Sequence, residues 1–148
     1  MKMILMLIIM TFSMHVIAGD ENQGISDLTA HEMFDNRTSL NLPPRMNHRL
    51  LANMRGQLTA IQSIIGHLAS DRFERASRVA RTKLGMTKGL KKIYAYSDND
   101  EFNKHGKAAN NSANELADIL KTKDLKKSLQ ALRKTMGNCV QCHKLFSQ

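Results

Sequence analysis

Apolar positions after residue 44 fall into four blocks whose members step by three and four residues. The first block is Leu51, Met54, Leu58, Ile61, Ile65 and Leu68, flanked by Leu50 and Ile64. Phe73, Ala76, Val79, Ala80 and Leu84 make the second, with Ser70-Asp71 as its cap candidates and Gly85 as its stop. Ala109, Ala113, Leu116, Ala117 and Leu120 make the third. The fourth runs Leu125, Leu129, Leu132, Met136, Val140, His143 and Phe146, behind Thr122 or Asp124 as cap. Both prolines stand together at Pro43-Pro44, and no period-two alternation follows them. The pattern therefore predicts an all-α domain over residues 45–148, with four amphipathic helices burying their apolar faces against each other. The links at 69–71 and 121–124 are short, so those neighbours are expected to be antiparallel; the link at 86–104 reads as long and polar. An up-down-up-down, antiparallel four-helix bundle is the simplest topology.

The chain ahead of the bundle has a different composition. Met1-Lys2 and an apolar run through Phe12 precede Val16-Ile17-Ala18, the small-residue pattern of an export signal over residues 1–18. The run is shorter than the roughly 20 apolar residues a membrane span needs. It also contains Ser13 and His15, so cleavage is expected over retention as an anchor. Residues 19–44 then read as an acidic, extended lead. Its net charge is −4, against +12 for residues 45–148, so the overall +9 describes neither part.

Chemistry concentrates at the end of the fourth block. Cys139-Val140-Gln141-Cys142-His143 uses both cysteines of the chain in one Cys-x-x-Cys-His run, the attachment pattern of a c-type haem. Thiols three residues apart can form thioethers to the two vinyl groups on one porphyrin edge, and the adjacent His143 can reach iron from the proximal face. Cys139 and His143 are an i, i+4 pair on the face that continues the apolar stripe, which draws the haem into the bundle. The rival readings fit less well. A thioredoxin-type dithiol sits at a helix N-terminus behind a strand. Zinc lacks a fourth ligand near the triplet, and a structural disulfide is poor at this spacing on a continuous helix.

The last helix, Leu132-Arg133-Lys134-Thr135-Met136-Gly137-Asn138-Cys139-Val140-Gln141-Cys142-His143-Lys144-Leu145-Phe146, resembles that of class II cytochrome c, the cytochrome c prime family and its low-spin relatives. Leu51-Ala52-Asn53-Met54-Arg55 and Leu84-Gly85-Met86 are similar to segments of the same group. The resemblance covers about 45–148 and implies one covalent haem c. It divides on the sixth ligand: high-spin members leave an apolar distal face, and low-spin members place a methionine of the first helix on iron. Met54 is the first choice, because its level in the first helix lies within about 6 Å of that of His143 in the fourth. Met46, Met86 and His48 are the other candidates, and a core methionine filling space is the bland alternative. His31, His67 and His105 are expected to be solvated or in the lead.

Residues 72–92 carry Arg72, Arg75, Arg78, Arg81, Lys83, Lys88, Lys91 and Lys92 against a single Glu74. This is a solvated face, or a surface for acidic redox partner proteins or an anionic membrane. Arg133, Lys134 or Arg45 are the cations expected at the haem carboxylates. Export and the scarcity of aromatics argue against nucleic acid, and a homodimer is a further partner expectation. The reading is a periplasmic one-electron carrier with Cys139 and Cys142 as anchors, His143 and Met54 as iron ligands, and no enzyme activity. The alternative is a high-spin protein that binds nitric oxide or carbon monoxide.

Overall fold

The computed structural model describes residues 35–148; the export signal and residues 19–34 of the acidic lead, His31 included, lie outside the described residues. Helix α1 spans Pro44–Leu68, α2 spans Phe73–Val79 and runs on as a π turn over Ala80–Leu84, and α3 spans Lys88–Tyr96. Helices α4 (Asp100–Leu120) and α5 (Leu125–Leu145) complete the set. Pro44 opens α1, where a missing N–H costs nothing and the ring presets φ. Helices α1, α2, α4 and α5 form the all-α four-helix bundle, α1 packing on α2, α2 on α4, and α4 on α5.

The 86–104 link is not irregular. Leu90, Ile93 and Tyr94 supply a one-sided apolar face at helical spacing, and Thr87 caps it by accepting from the Leu90 N–H at 3.2 Å. Helix α4 likewise begins earlier than its alanine stripe implies, because the Asn99 side chain accepts from the Phe102 N–H at 2.9 Å. Asp124 caps α5 as expected. The Ser70-Asp71 expectation fails: Arg72 occupies the N-cap of α2 without a side-chain bond, and Asp71 is spent on the turn at φ 52°. Gly85 closes the π turn by donating to the Ala80 carbonyl. A Cβ there would lie 2.5 Å from both the Arg81 carbonyl and Asn114 Oδ1, so only glycine lets the chain pass so close to α4.

Two clusters make the core. The first joins Ile64 and Leu68 of α1 to Ala76 and Ala80 of the second segment, Leu116 and Leu120 of α4, and Leu132 of α5. Ala76, Ala80, Ala113 and Ala117 are fully buried, and the small side chains bring α2 and α4 close enough for Ser77 Oγ to donate to the Ala117 carbonyl at 2.7 Å. The second cluster, at the other end, holds Leu50, Leu90, Ile93, Phe102 and Phe146. In front of α1, β1 (Thr38–Ser39) forms a two-residue parallel bridge with β2 (Phe146–Ser147), and Leu40 N donates to the Ser147 carbonyl at 3.2 Å. The end of the lead is thus clasped to the tail of α5.

The buried faces of α1 and α5 follow the expected stripes only in part. Leu50, Ala60, Ile64 and Leu68 are buried, whereas Leu58 is 69% and Ile65 49% exposed. On α5, Ala131, Leu132, Thr135 and Cys142 face inward, and Leu129 and Val140 are about half exposed. The alanine-rich faces of α2 and α4 need only a narrow stripe from each partner, and part of the remainder lines an opening between α1 and α5.

Candidate functional site

That opening leads to a cavity of about 470 Å³, within the range of roughly 300–1,000 Å³ typical of cofactor pockets. Helix α1 contributes Asn53, Met54, Arg55, Leu58 and Ile61, and α3 contributes Leu90 and Tyr94. Phe102, Gly106 and Asn110 come from α4, and Met136, Cys139, Val140, Cys142 and His143 from α5. All four residues singled out from the sequence, Met54, Cys139, Cys142 and His143, therefore border one cavity. Met54 also borders a smaller recess of about 300 Å³ with Leu51, Phe102, His143 and Phe146.

The helical register of α5 sets the geometry of the triplet. Cys142 is buried, Cys139 is half-buried with its thiol directed at the Thr135 carbonyl at 3.5 Å, and His143 lies exposed at the rim. Arg37 Nη1, from the segment that leads into the clasp, donates to the His143 carbonyl at 3.3 Å and steadies the last turn. Both thiols are free. Burial pushes the Cys142 thiol up to about 11, with the neighbouring Cys139 adding to it, and burial also raises Cys139. A nucleophilic dithiol needs the opposite shift, from a helix N-terminus or a nearby cation. Among the described residues no group of three or more His, Cys, Asp or Glu side chains is disposed to hold a metal ion.

The lining suits a large apolar ligand with a polar edge. Leu58, Met136 and Val140 are exposed apolar side chains on the rim, and covering them removes about 25 cal/mol of unfavourable hydration per Å². Asn53 Oδ1 is buried in the wall without a hydrogen-bond partner. Arg55 brings a guanidinium to the same wall. These residues fit a haem: two thiols for its vinyl groups, an imidazole beside them, apolar walls for its faces and a cation for its carboxylates.

Several secondary expectations change. Lys134 is held by Glu115 at 2.7 Å, and Arg133 lines shallow surface grooves, so Arg55 is the arginine placed on the cavity. Met46 and Met86 pack against the second cluster without bordering the cavity, and His48 is exposed. His105 is not simply solvated: its ring lies against Phe146 and its Nε2 is 3.9 Å from Glu101. Nor is His67, whose Nδ1 is buried. Sequence reasoning missed Tyr94, Asn110 and Gly106 entirely. The spacing of Leu90, Ile93 and Tyr94 was the available signal for the first.

A family model described as Cytochrome C' matches residues 51–147. Neither the curated proteins nor the solved structures give a match. The matched span begins inside α1 and ends in the clasp, so it takes in every cavity-lining residue named above, both thiols and His143 among them. The chain belongs to the cytochrome c prime family, whose members bind covalently attached haem c.

Proposed function

We propose that this protein is an exported one-electron carrier in which Cys139 and Cys142 anchor the haem, His143 is the proximal iron ligand and Met54 the distal one. The observation that carries the reading is the meeting of Met54 on α1 with the Cys-x-x-Cys-His turn of α5 across one cavity. When bound, haem c supplies an iron centre that cycles between two oxidation states. The chain's own residues do the rest. The apolar walls keep water from the iron, which disfavours the extra charge of the ferric state, and a thioether ligand acts in the same direction. Arg55, on the cavity wall, would balance the haem carboxylates. Export is supported by the signal over residues 1–18 and by the exported character of the family, and no helix among the described residues is long and apolar enough to cross a membrane. An acidic protein partner is favoured by Lys88, Lys91 and Lys92, exposed on the outer face of α3 directly behind the cavity wall.

A second reading is favoured by the half-buried state of Met54 and the recess beside it. If Met54 fills space rather than binding iron, the same apolar face admits nitric oxide or carbon monoxide. Optical spectra of the oxidised, reduced and carbon monoxide-treated protein separate the two. A carrier is expected to be low-spin and slow to bind carbon monoxide, and Met54→Ala is expected to turn it high-spin and readily liganded. An unchanged spectrum in Met54→Ala removes Met54 from the iron.

A further inference from the structure

We propose that Gly106 and Tyr94 are positioning residues for the haem, Gly106 holding the cavity open by leaving room for the Tyr94 ring to lie back against α4. The inference rests on this cavity being the haem site.

Tyr94 is a buried phenol on the cavity wall, in the same cluster as Cys142. Its hydroxyl is tethered. Asn110 Nδ2 donates to the Leu84 carbonyl at 2.8 Å, and a carbonyl can only accept, so Asn110 Oδ1 is left to take the Tyr94 O–H, also at 2.8 Å. Phe102 holds the ring on another side, its centroid 5.8 Å away in an edge-on contact. Gly106 faces the ring itself. A Cβ at that position would come within 2.6 Å of Tyr94 Cε1 and 2.7 Å of Cζ, closer than real Cβ atoms approach. Asn110 tethers the ring and Phe102 flanks it, while Tyr94 and Gly106 both border the cavity, which is open to a displaced ring. A side chain at position 106 therefore moves an aromatic ring into the space beside the two cysteines.

An exchange of glycine for alanine inside a helix ordinarily stabilises it, because glycine loses more backbone freedom on folding. Here the same exchange is expected to disturb the haem. The test is a double-mutant cycle on the full-length holo-protein: wild type, Gly106→Ala, Tyr94→Ala, and both together. The visible spectrum and midpoint potential are the readouts, alongside covalent haem per chain. Gly106→Ala is expected to shift the spectrum and potential while Tyr94 is present, and to shift neither once the ring is gone. A purely structural role for the pair would lower the melting temperature without moving the potential. Tyr94→Phe keeps the ring and cuts the tether, and is expected to move the potential in the same direction. An unshifted potential in Gly106→Ala, or an equal shift in the Tyr94→Ala background, overturns the proposal. A wild-type protein without haem on Cys139 and Cys142 is a different failure, since it removes the site reading before any variant is compared.

Discussion

Single side chains differ in how much of their role their own chemistry dictates. Cys139, Cys142 and His143 stand out in the sequence because thioether formation and iron ligation demand those residue types at that spacing, and the structure brings all three to one cavity. Arg55, Asn53 and Gly106 do not stand out, because each reaches the cavity only through a wall completed by other helices. Arg81 illustrates the same limit. By composition it is one of eight cations on the 72–92 segment, yet its guanidinium is bonded to Asp118 across the α2–α4 interface. That bond, with Arg81's charge and then Lys121 behind it, holds the Asp118 carboxyl below its ordinary range. A depressed folded-state value means the stabilisation is present above the ordinary carboxylate range and lost as pH falls through the lowered value. Asp118→Asn is therefore expected to melt slightly lower than wild type at neutral pH, with the gap closing in acid. Melting curves across that range check it, and a gap that persists in acid contradicts the pairing.

Among the elements, α3 shows why a helix can escape a periodicity reading. It has nine residues, three of them lysines, and buries only Leu90, Ile93 and Tyr94. A two-turn helix like this has no independent stability and forms because its inner face packs on the cavity wall. The four longer segments were legible, but their faces less so. On α1 the expected stripe divides: Leu68 and the flanking Leu50 and Ile64 are buried, Met54, Leu58 and Ile61 line the cavity, and Leu51 and Ile65 are left exposed. Because α3 carries Tyr94, its cap matters to the site. Thr87→Ala removes the acceptor for the Leu90 N–H and is expected to cost about 1 kcal/mol. Denaturant unfolding measures the loss, and faster amide exchange at Ile93 and Tyr94 places it in α3.

For the whole molecule, the uneven charge is the feature most visible in composition and least tied to fold. The bundle segment carries +12, and the lysines of α3 put part of that behind the cavity wall. If this field guides an acidic partner, a small anionic reductant such as ferrocyanide should feel it too. Its rate with the ferric protein is expected to fall as ionic strength rises from about 0.01 M to 0.1 M, where the screening length shrinks from about 30 Å to about 10 Å. Changing Lys88, Lys91 and Lys92 together to Glu is expected to lower the low-salt rate several-fold. Stopped-flow traces at two salt concentrations suffice, and equal rates in both proteins would place the docking face elsewhere.

The clasp between the end of the lead and the tail of α5 has a consequence for the order of events in the making of this protein. Arg37 and His143 are 106 residues apart in the chain, so their contact closes almost the longest loop available among the described residues. The entropy of that closure is low only once α1 through α5 have already brought the two ends together. The clasp is therefore a late step, assembled after the bundle, and the turn bearing Cys139, Cys142 and His143 stays reachable on that side until then. What closes last in folding opens first in unfolding, so the latch is expected to be the first part of the domain to exchange its amide protons.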